Sequence, residues 1–435
     1  MNKRSTIEKL VNDDNYKVRK ALAYNPNTPV DILEKLSEDK EYEVRGVLAY
    51  NPSTPSSVLE KLLQDKSDWV RFTIADSSYT QPNILEKLVH DKKYIRDKAI
   101  TNPNMPINIL KQFADDEYIS TRMFVAMNPS TPAELSKKLS QDKSFRVRKA
   151  IAYYNPNTPP EVLKTLSQDE ELGVRISVVK NPNITKEILS KLANDKKEWV
   201  REAVAENLHT PINTLAKLAR DEETYIRRHV AENPNTSPET LEELLKDREE
   251  EVMLSAVKNP NIPQDILIKL ANDDYWRIKE AVAANPSTTA DILDKLANME
   301  VEFRRNVAKH PNVMSKTLTK LIQDEDEDVR IEVAKNLKAT PDILKKLSKD
   351  RVYLVRAEVA SNPKTPVEVL EKLSRDRSIF VRARVANNEN TLPQTLKKFA
   401  NDEKNQIRIA LALNPNIAKI DAPQPQQKKS VNPSM

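Results

Sequence analysis

Short apolar stripes at helical spacing alternate along the chain with polar turns, always in the same order. In the stretch NPNTPVDILEKLSEDKEYEVRGVLAY, from Asn25 to Tyr50, the residues Ile32, Leu33 and Leu36 form one narrow apolar stripe. Asp39 follows, and then Val44, Val47, Leu48 and Ala49 form a second stripe. The pattern predicts two short helices, a first and a second, each of about nine residues. Neither would be stable alone in water, so each must bury its stripe against a neighbouring unit.

The unit then repeats. An Asn-Pro step returns at a period of 26 residues, as at Asn25-Pro26, Asn51-Pro52, Asn233-Pro234, Asn259-Pro260 and Asn285-Pro286, and ends at Asn414-Pro415. Degenerate copies such as Ser77-Ser78, Asn207-Leu208 and His310-Pro311 fill the gaps. A fixed period of this length predicts a stack of supersecondary units rather than a globular domain around one cleft. The punctuation is chemical. Thr28-Pro29 reads as a helix start, with the Thr hydroxyl accepting an orphan N–H and Pro at the first helical position. Asp31 completes a capping-box-like pattern and complements the helix dipole. Asn51 reads as the left-handed residue that ends the second helix, and Pro52 blocks its continuation.

Two charged positions recur with the same period. One holds Asp, as at Asp39, Asp65 and Asp195, and the other, six residues on, holds Arg, as at Arg45, Arg71 and Arg201. A row of arginines can bind phosphates. It can equally form a ladder with the aspartates of its own or the neighbouring repeat. The near one-to-one pairing favours the ladder, in which each carboxylate also accepts orphan N–H groups at the start of the second helix.

With these residues in view, the motif N-P-x-T-P-x-x-x-L-x-x-L-x-x-D-x-x-x-x-V-R-x-x-V-A-x resembles the leucine-rich repeat variant. It is also similar to HEAT repeats, whose Asp–Arg ladder matches Asp39 and Arg45. The resemblance spans residues 1 to about 417. It implies an all-α, right-handed solenoid (superhelix) of about sixteen two-helix repeats, with one helix of each pair facing inward. It allows one of the two helices to be of the 3₁₀ kind. One member type carries an iron–sulfur cluster on N-terminal cysteines. This chain has no cysteine, so that cluster does not transfer.

Helix layers pack about 8–10 Å apart, which gives a span on the order of 140 Å along the superhelix. Neither end shows a distinct capping module, so the ends are expected to be weakly capped by polar residues or covered by a partner. Residues 418–435 lose the pattern and, rich in Pro, Gln and Ser, read as a disordered tail.

The absence of cysteine excludes disulfides and thiol catalysis and fits a cytoplasmic setting. The N-terminal segment lacks the apolar stretch of a secretory signal. The net charge of +5 arises from 70 basic and 65 acidic residues, too near balance for a dedicated nucleic-acid surface. The four histidines, His90, His209, His229 and His310, form no motif at metal-ligand spacing, and the two glycines form no phosphate loop. No catalytic residue, metal or cofactor is expected, and the chain does not read as an enzyme.

Aromatic residues recur near the start of the second helix, among them Tyr42, Trp69, Tyr94, Trp199 and Trp276. They fit wedges between repeats better than stacking platforms for single-stranded nucleic acid. The candidate partner-binding residues are Tyr24, Tyr50, Phe72, Met123, Met127 and Tyr153, on the variable face of the second helices. An apolar, aromatic stripe there is what a protein-binding groove presents. The same residues could equally tuck between neighbouring helices. The expected function is a scaffold for a protein or peptide partner on the concave face. A nucleic-acid-binding array is the alternative, and neither a membrane nor a small-molecule cofactor is expected.

Overall fold

The computed structural model describes residues 6–421. Thirty-two α-helices and two 3₁₀ turns follow one another, with no strand among the described residues. The chain is an all-α solenoid of helical repeats. A typical repeat pairs a seven-residue first helix, such as Val30–Leu36, with a nine-residue second helix, such as Glu198–Glu206. The first helix is shorter than the stripe predicted, because Pro29 stands outside it as the N-cap residue. Both helices are of the α kind, and among the described residues 3₁₀ geometry appears only at Leu48–Tyr50 and Ile417–Lys419.

Leu33 and Leu36 of the first helix and Val44, Val47, Leu48 and Ala49 of the second are buried in one core that continues through the array. The second helices pack directly on one another from repeat to repeat, whereas the first helices pack mainly on second helices. The second helices therefore occupy the shorter, inner circumference.

Two of the expected turn roles are corrected. No non-glycine residue among those described has a positive φ. Asn233 is extended, at φ −71° and ψ 123°, as a residue preceding proline must be. Its purpose lies in the side chain. Nδ2 donates to the carbonyls of Ala205 (2.8 Å) and Asn207 (3.0 Å) in the preceding repeat, and Oδ1 accepts from the Asn235 N–H (2.9 Å). Asn51, Asn259 and Asn362 do the same. At Asn155 the preceding helix, Phe145–Tyr154, holds one residue more, and the Asn155 Nδ2 is left buried without a partner.

The Thr hydroxyl also works in the other direction. Thr28 Oγ1 donates to the Leu22 carbonyl (2.6 Å), closing the end of the helix before it rather than the start of the one after. Thr210 and Thr391 repeat this bond on Val204 and Val385. The capping box on Asp31 therefore does not form. Hydroxyl caps occur where Thr185, Ser237 or Thr340 stands at the N-cap position that proline takes in other repeats.

The ends of the array meet. The second helix Tyr16–Tyr24 packs on the last helix, Asn405–Ala412, as any two consecutive inner helices do. The Asn25 amide donates to the carbonyls of Ala412 (2.8 Å) and Asn414 (2.9 Å). Arg408 bonds Asp13 at 2.6 Å. The Asp421 carboxylate accepts from the Thr6 N–H (2.7 Å) at the start of the first helix, and Ile420 is buried. The array is a closed ring. Each end covers the other, so neither a polar cap nor a partner is needed there, and residues 418–421, assigned by sequence to the tail, belong to the closure. Residues 422–435 lie outside the described part of the chain. A small rotation per repeat, summed over the array, produces this closure.

His310 takes the place of an Asn. Its Nε2 meets the Asn285 carbonyl at 2.8 Å and its Nδ1 accepts from the Asn312 N–H at 3.0 Å. Burial holds this imidazole below its ordinary value, only partly offset by the Asn285 bond. The folded chain thus takes up this proton less readily than the unfolded one. Its contribution is complete above the ordinary histidine value, about 6.5, and is lost as pH falls below it. His310→Asn should therefore flatten the fall in melting temperature on going from about pH 7.5 to 5. Parallel curves for the two proteins would refute this role.

Candidate binding surface on the inner face

Each inner helix is flanked by two neighbours and backed by first helices, which leaves one face free, toward the centre of the ring. Sixteen such helices about 9 Å apart give a circle about 45 Å across between helix axes. Subtracting a helix diameter of about 10–12 Å leaves an opening of about 35 Å, enough for a helix or a small folded domain. By contrast, a surface cleft of about 470 Å³ is an open notch between the turns at Asp13 and Asp39.

Five of the six candidate residues lie on inner helices and Tyr50 lies in the 3₁₀ turn that ends one, and the six divide into two groups. Tyr24 and Tyr153 are exposed, at 54% and 42%, and Tyr153 meets Tyr154 edge-on at 4.6 Å. Phe72, Met123 and Met127 are half-buried and pack against the core. Tyr50 is half-buried too. Its hydroxyl donates to Asp76 at 2.6 Å, and burial together with that carboxylate pushes the phenol well above its ordinary value.

Near the start of the inner helices, aromatic rings pair from one repeat to the next. Trp199 stacks on Tyr225 at 5.9 Å, Tyr353 stacks on Phe380 at 5.7 Å, and Tyr42 meets Trp69 edge-on at 5.7 Å. Trp199 and Phe380 are still more than half exposed, so these rings join repeats and present apolar area at once. Trp69 lies across Gly46, where a Cβ would come within 2.0 Å of its ring, and so comes under the Lys20 ammonium. The charges between the rings are mixed and paired. Lys98 bonds Asp76, Lys335 bonds Glu332 at 2.9 Å, and Arg305 bonds Asp326 and Asp328 at 2.8 and 3.0 Å.

The recurrent Arg and Asp positions sit between repeats. Arg201 donates from Nε and Nη2 to the Asp221 carboxylate (2.7 and 3.0 Å) and from Nη1 to the Asp195 carbonyl (3.0 Å). It thus holds its own turn through the backbone and the next repeat through the side chain. Arg45 reaches Asp65 and Arg71 reaches Asp91 in the same way, while Asp39 receives Arg19 and Asp195 receives Arg175. The Asp195 carboxylate also accepts from the Lys197 N–H at 2.9 Å, at the N-cap of the second helix. Burial pushes the Asp195 carboxyl up, but the Arg175 bond and that N–H pull it further down, below the usual carboxylate range. The series breaks at Arg96, which turns to Asp97 (3.1 Å), and at Met253 and Lys279, which replace the Arg.

Of the histidines, His90 and His209 are exposed and His310 serves the turn already described. His229 is different. It lies beside Glu202 and Glu206 of the preceding inner helix, with the three donor atoms within 4.8 Å of one another. No local motif marks this group, because its members sit about one repeat apart in sequence. Aligning consecutive repeats is the signal that would reveal it.

The leucine rich repeat variant family model matches residues 16–41, 226–249 and 353–378. Three segments of the array thus match the repeat of that family. Among solved structures, the chain is similar to one described as "A leucine-rich repeat variant with a novel repetitive protein structural motif". The two are 26% identical, with a TM-score of 0.38 over 51% of this chain and 87% of that one. It also matches a chain of the structure described as "Kap95p Binding Induces the Switch Loops of RanGDP to adopt the GTP-bound Conformation: Implications for Nuclear Import Complex Assembly Dynamics". That match is 12% identical, with a TM-score of 0.27 over 95% of this chain and 63% of the other. No curated protein matches the chain.

If the arginines join the variant repeats, removing one leaves a largely buried carboxylate without its partner. Arg201→Ala should cost about 2–4 kcal/mol. Hydrogen exchange should quicken first in Glu198–Glu206 and Thr224–Glu232, the inner helices on either side. An unchanged melt and exchange pattern would show that Arg201 has no structural part.

Proposed function

We propose that the ring is a non-catalytic scaffold, working in the cytoplasm, that holds a protein or peptide partner against its inner face. The observation that supports this reading is the make-up of that face. Half-exposed aromatic rings are spread among charges of both signs that already pair with each other. Protein interfaces combine aromatic anchors with a mixed polar surround. A nucleic-acid surface needs a run of uncompensated cations along the phosphate path, and the acidic partners of Lys98, Arg305 and Lys335 work against one. Among the described residues no helix is long and apolar enough to cross a membrane.

Within the sequence-derived set, Tyr24 and Tyr153 are the residues best placed to touch a partner without serving the core. The tagged chain, recovered from lysate of its source cells with and without nuclease, should retain the same partner in both. Tyr24→Ala with Tyr153→Ala should lower the amount retained at least tenfold, as the loss of two aromatic anchors implies. The melting temperature should hold. A partner set that disappears with nuclease would overturn the reading in favour of nucleic acid.

A further inference from the structure

Three acceptor groups converge on one point of the inner face. His229 Nε2 lies 3.4 Å from Glu202 Oε1 and 3.5 Å from Glu206 Oε1. On the far side of the ring, His229 Nδ1 lies 3.3 Å from Glu232 Oε2. Glu232 is in turn held by Ser255 of the next repeat, whose Oγ donates to Glu232 Oε1 at 3.2 Å. With Nδ1–H donating to the Glu232 carboxylate, the Nε2 lone pair faces two carboxylates, which are acceptors only. Such a convergence calls for a cation.

We infer that Glu202, Glu206 and His229 form a binding site for a divalent transition-metal ion of the zinc class. The spacing fits. Zinc bonds to imidazole nitrogen and carboxylate oxygen run about 2.0–2.1 Å, which puts neighbouring donors of a tetrahedral site about 3.3–3.4 Å apart. Both His–Glu edges of the cluster already stand near that length. Glu202 and Glu206 lie one helical turn apart on Glu198–Glu206, so both carboxylates project from one face and chelate together. His229 comes from the neighbouring helix, Thr224–Glu232, so the ion ties two repeats together. Glu232 fixes the imidazole orientation, as carboxylates behind metal-bound histidines do. One nitrogen with two carboxylate oxygens suits zinc, cobalt or nickel better than calcium or magnesium, which take oxygen ligands almost exclusively.

The residues around the site complete the picture. The His229, Glu202 and Glu206 side chains are 16%, 23% and 45% exposed, open enough for an ion to enter from the centre of the ring. Arg228 is the competing cation. Its Nη2 lies 3.4 Å from His229 Nε2, while its Nε is buried with no partner. Three carboxylates against this one guanidinium leave the cluster acidic, and an arriving ion displaces Arg228 from the imidazole. Three protein ligands leave the fourth tetrahedral corner free, for water or for a donor from a bound partner.

The test is calorimetric titration of the tag-free, chelator-stripped full chain with Zn²⁺ alone. One equivalent should bind. His229→Ala and Glu206→Gln should each weaken binding at least tenfold, Glu232→Gln should weaken it about tenfold through the imidazole, and His209→Ala should leave it unchanged. Glu206 is half exposed, so its amide variant will fold, and circular dichroism confirms this for each protein. Absent binding, or equal binding by the His229→Ala and Glu206→Gln variants, would overturn the site. The cluster would then be an ion pair between a protonated imidazole and its carboxylates.

Discussion

Each second helix ends in carbonyls with no helical partner, and each junction between repeats must supply donors for them. One buried Asn side chain does so at most junctions of this ring. Its primary amide gives two hydrogens to carbonyls of the repeat before, and its oxygen takes the N–H of its own turn. Few other side chains carry two donors and an acceptor on so short a stem. The backbone at this Asn is extended whether proline follows it, as at Asn233, or leucine, as at Asn336, and that geometry aims the amide sideways into the neighbouring repeat. Because the bonds run between repeats, they set how successive units lie on each other. The Arg–Asp pairs join the same repeats at the opposite end of the inner helix.

Closure follows from repeating that relation. The bond from Asn25 to Ala412 and Asn414 has the same pattern as the bond from Asn51 to Ala23 and Asn25. Arg408 with Asp13 likewise repeats Arg45 with Asp65. The seam is an ordinary junction with the covalent link left out. In functional terms, the inner helices then surround a bounded opening. A partner held there meets mixed charge and aromatic rings from several sides, and the cluster at His229 is part of the same wall.

Much of this was legible in the chain. The 26-residue period, the two apolar stripes per unit and the paired charges led to an all-α array, and the family resemblance implied that one helix of each pair faces inward, whereas only the packing of second helix on second helix shows which one. What went unread has physical causes. Asn before Pro suggested a left-handed residue because Asn tolerates that geometry, whereas the amide is used across repeats, where no local pattern shows it. Thr28 looked like an N-cap because it precedes Pro29, but its hydroxyl reaches back to Leu22. Closure depends on a small angle summed many times, which no single repeat encodes visibly. A trace was present all the same. Asp13, Asn25, Arg408 and Asn414 keep the consensus at both ends, where an open array would leave Asp13, Asn25 and Arg408 without the neighbouring repeat they bond. Of the candidate surface residues, Tyr24 and Tyr153 could not be told from Phe72 and Met123 by sequence, because all four occupy the same face and differ only in how deeply they lie between neighbours.

The closed ring is the claim on which the rest turns, and a spin–spin distance across the seam tests it most directly. The chain has no cysteine, so two introduced ones carry the only labels. Lys9 and Asn401 face each other across the seam, with Nζ and Oδ1 3.0 Å apart, as Lys35 and Asn12 do inside the array at 3.2 Å. Labels on Lys9→Cys with Asn401→Cys should give the same single, narrow, short distance as labels on Lys35→Cys with Asn12→Cys. A long or broad distribution for the seam pair, tending toward the full span of the array on the order of 140 Å, would show an open superhelix instead.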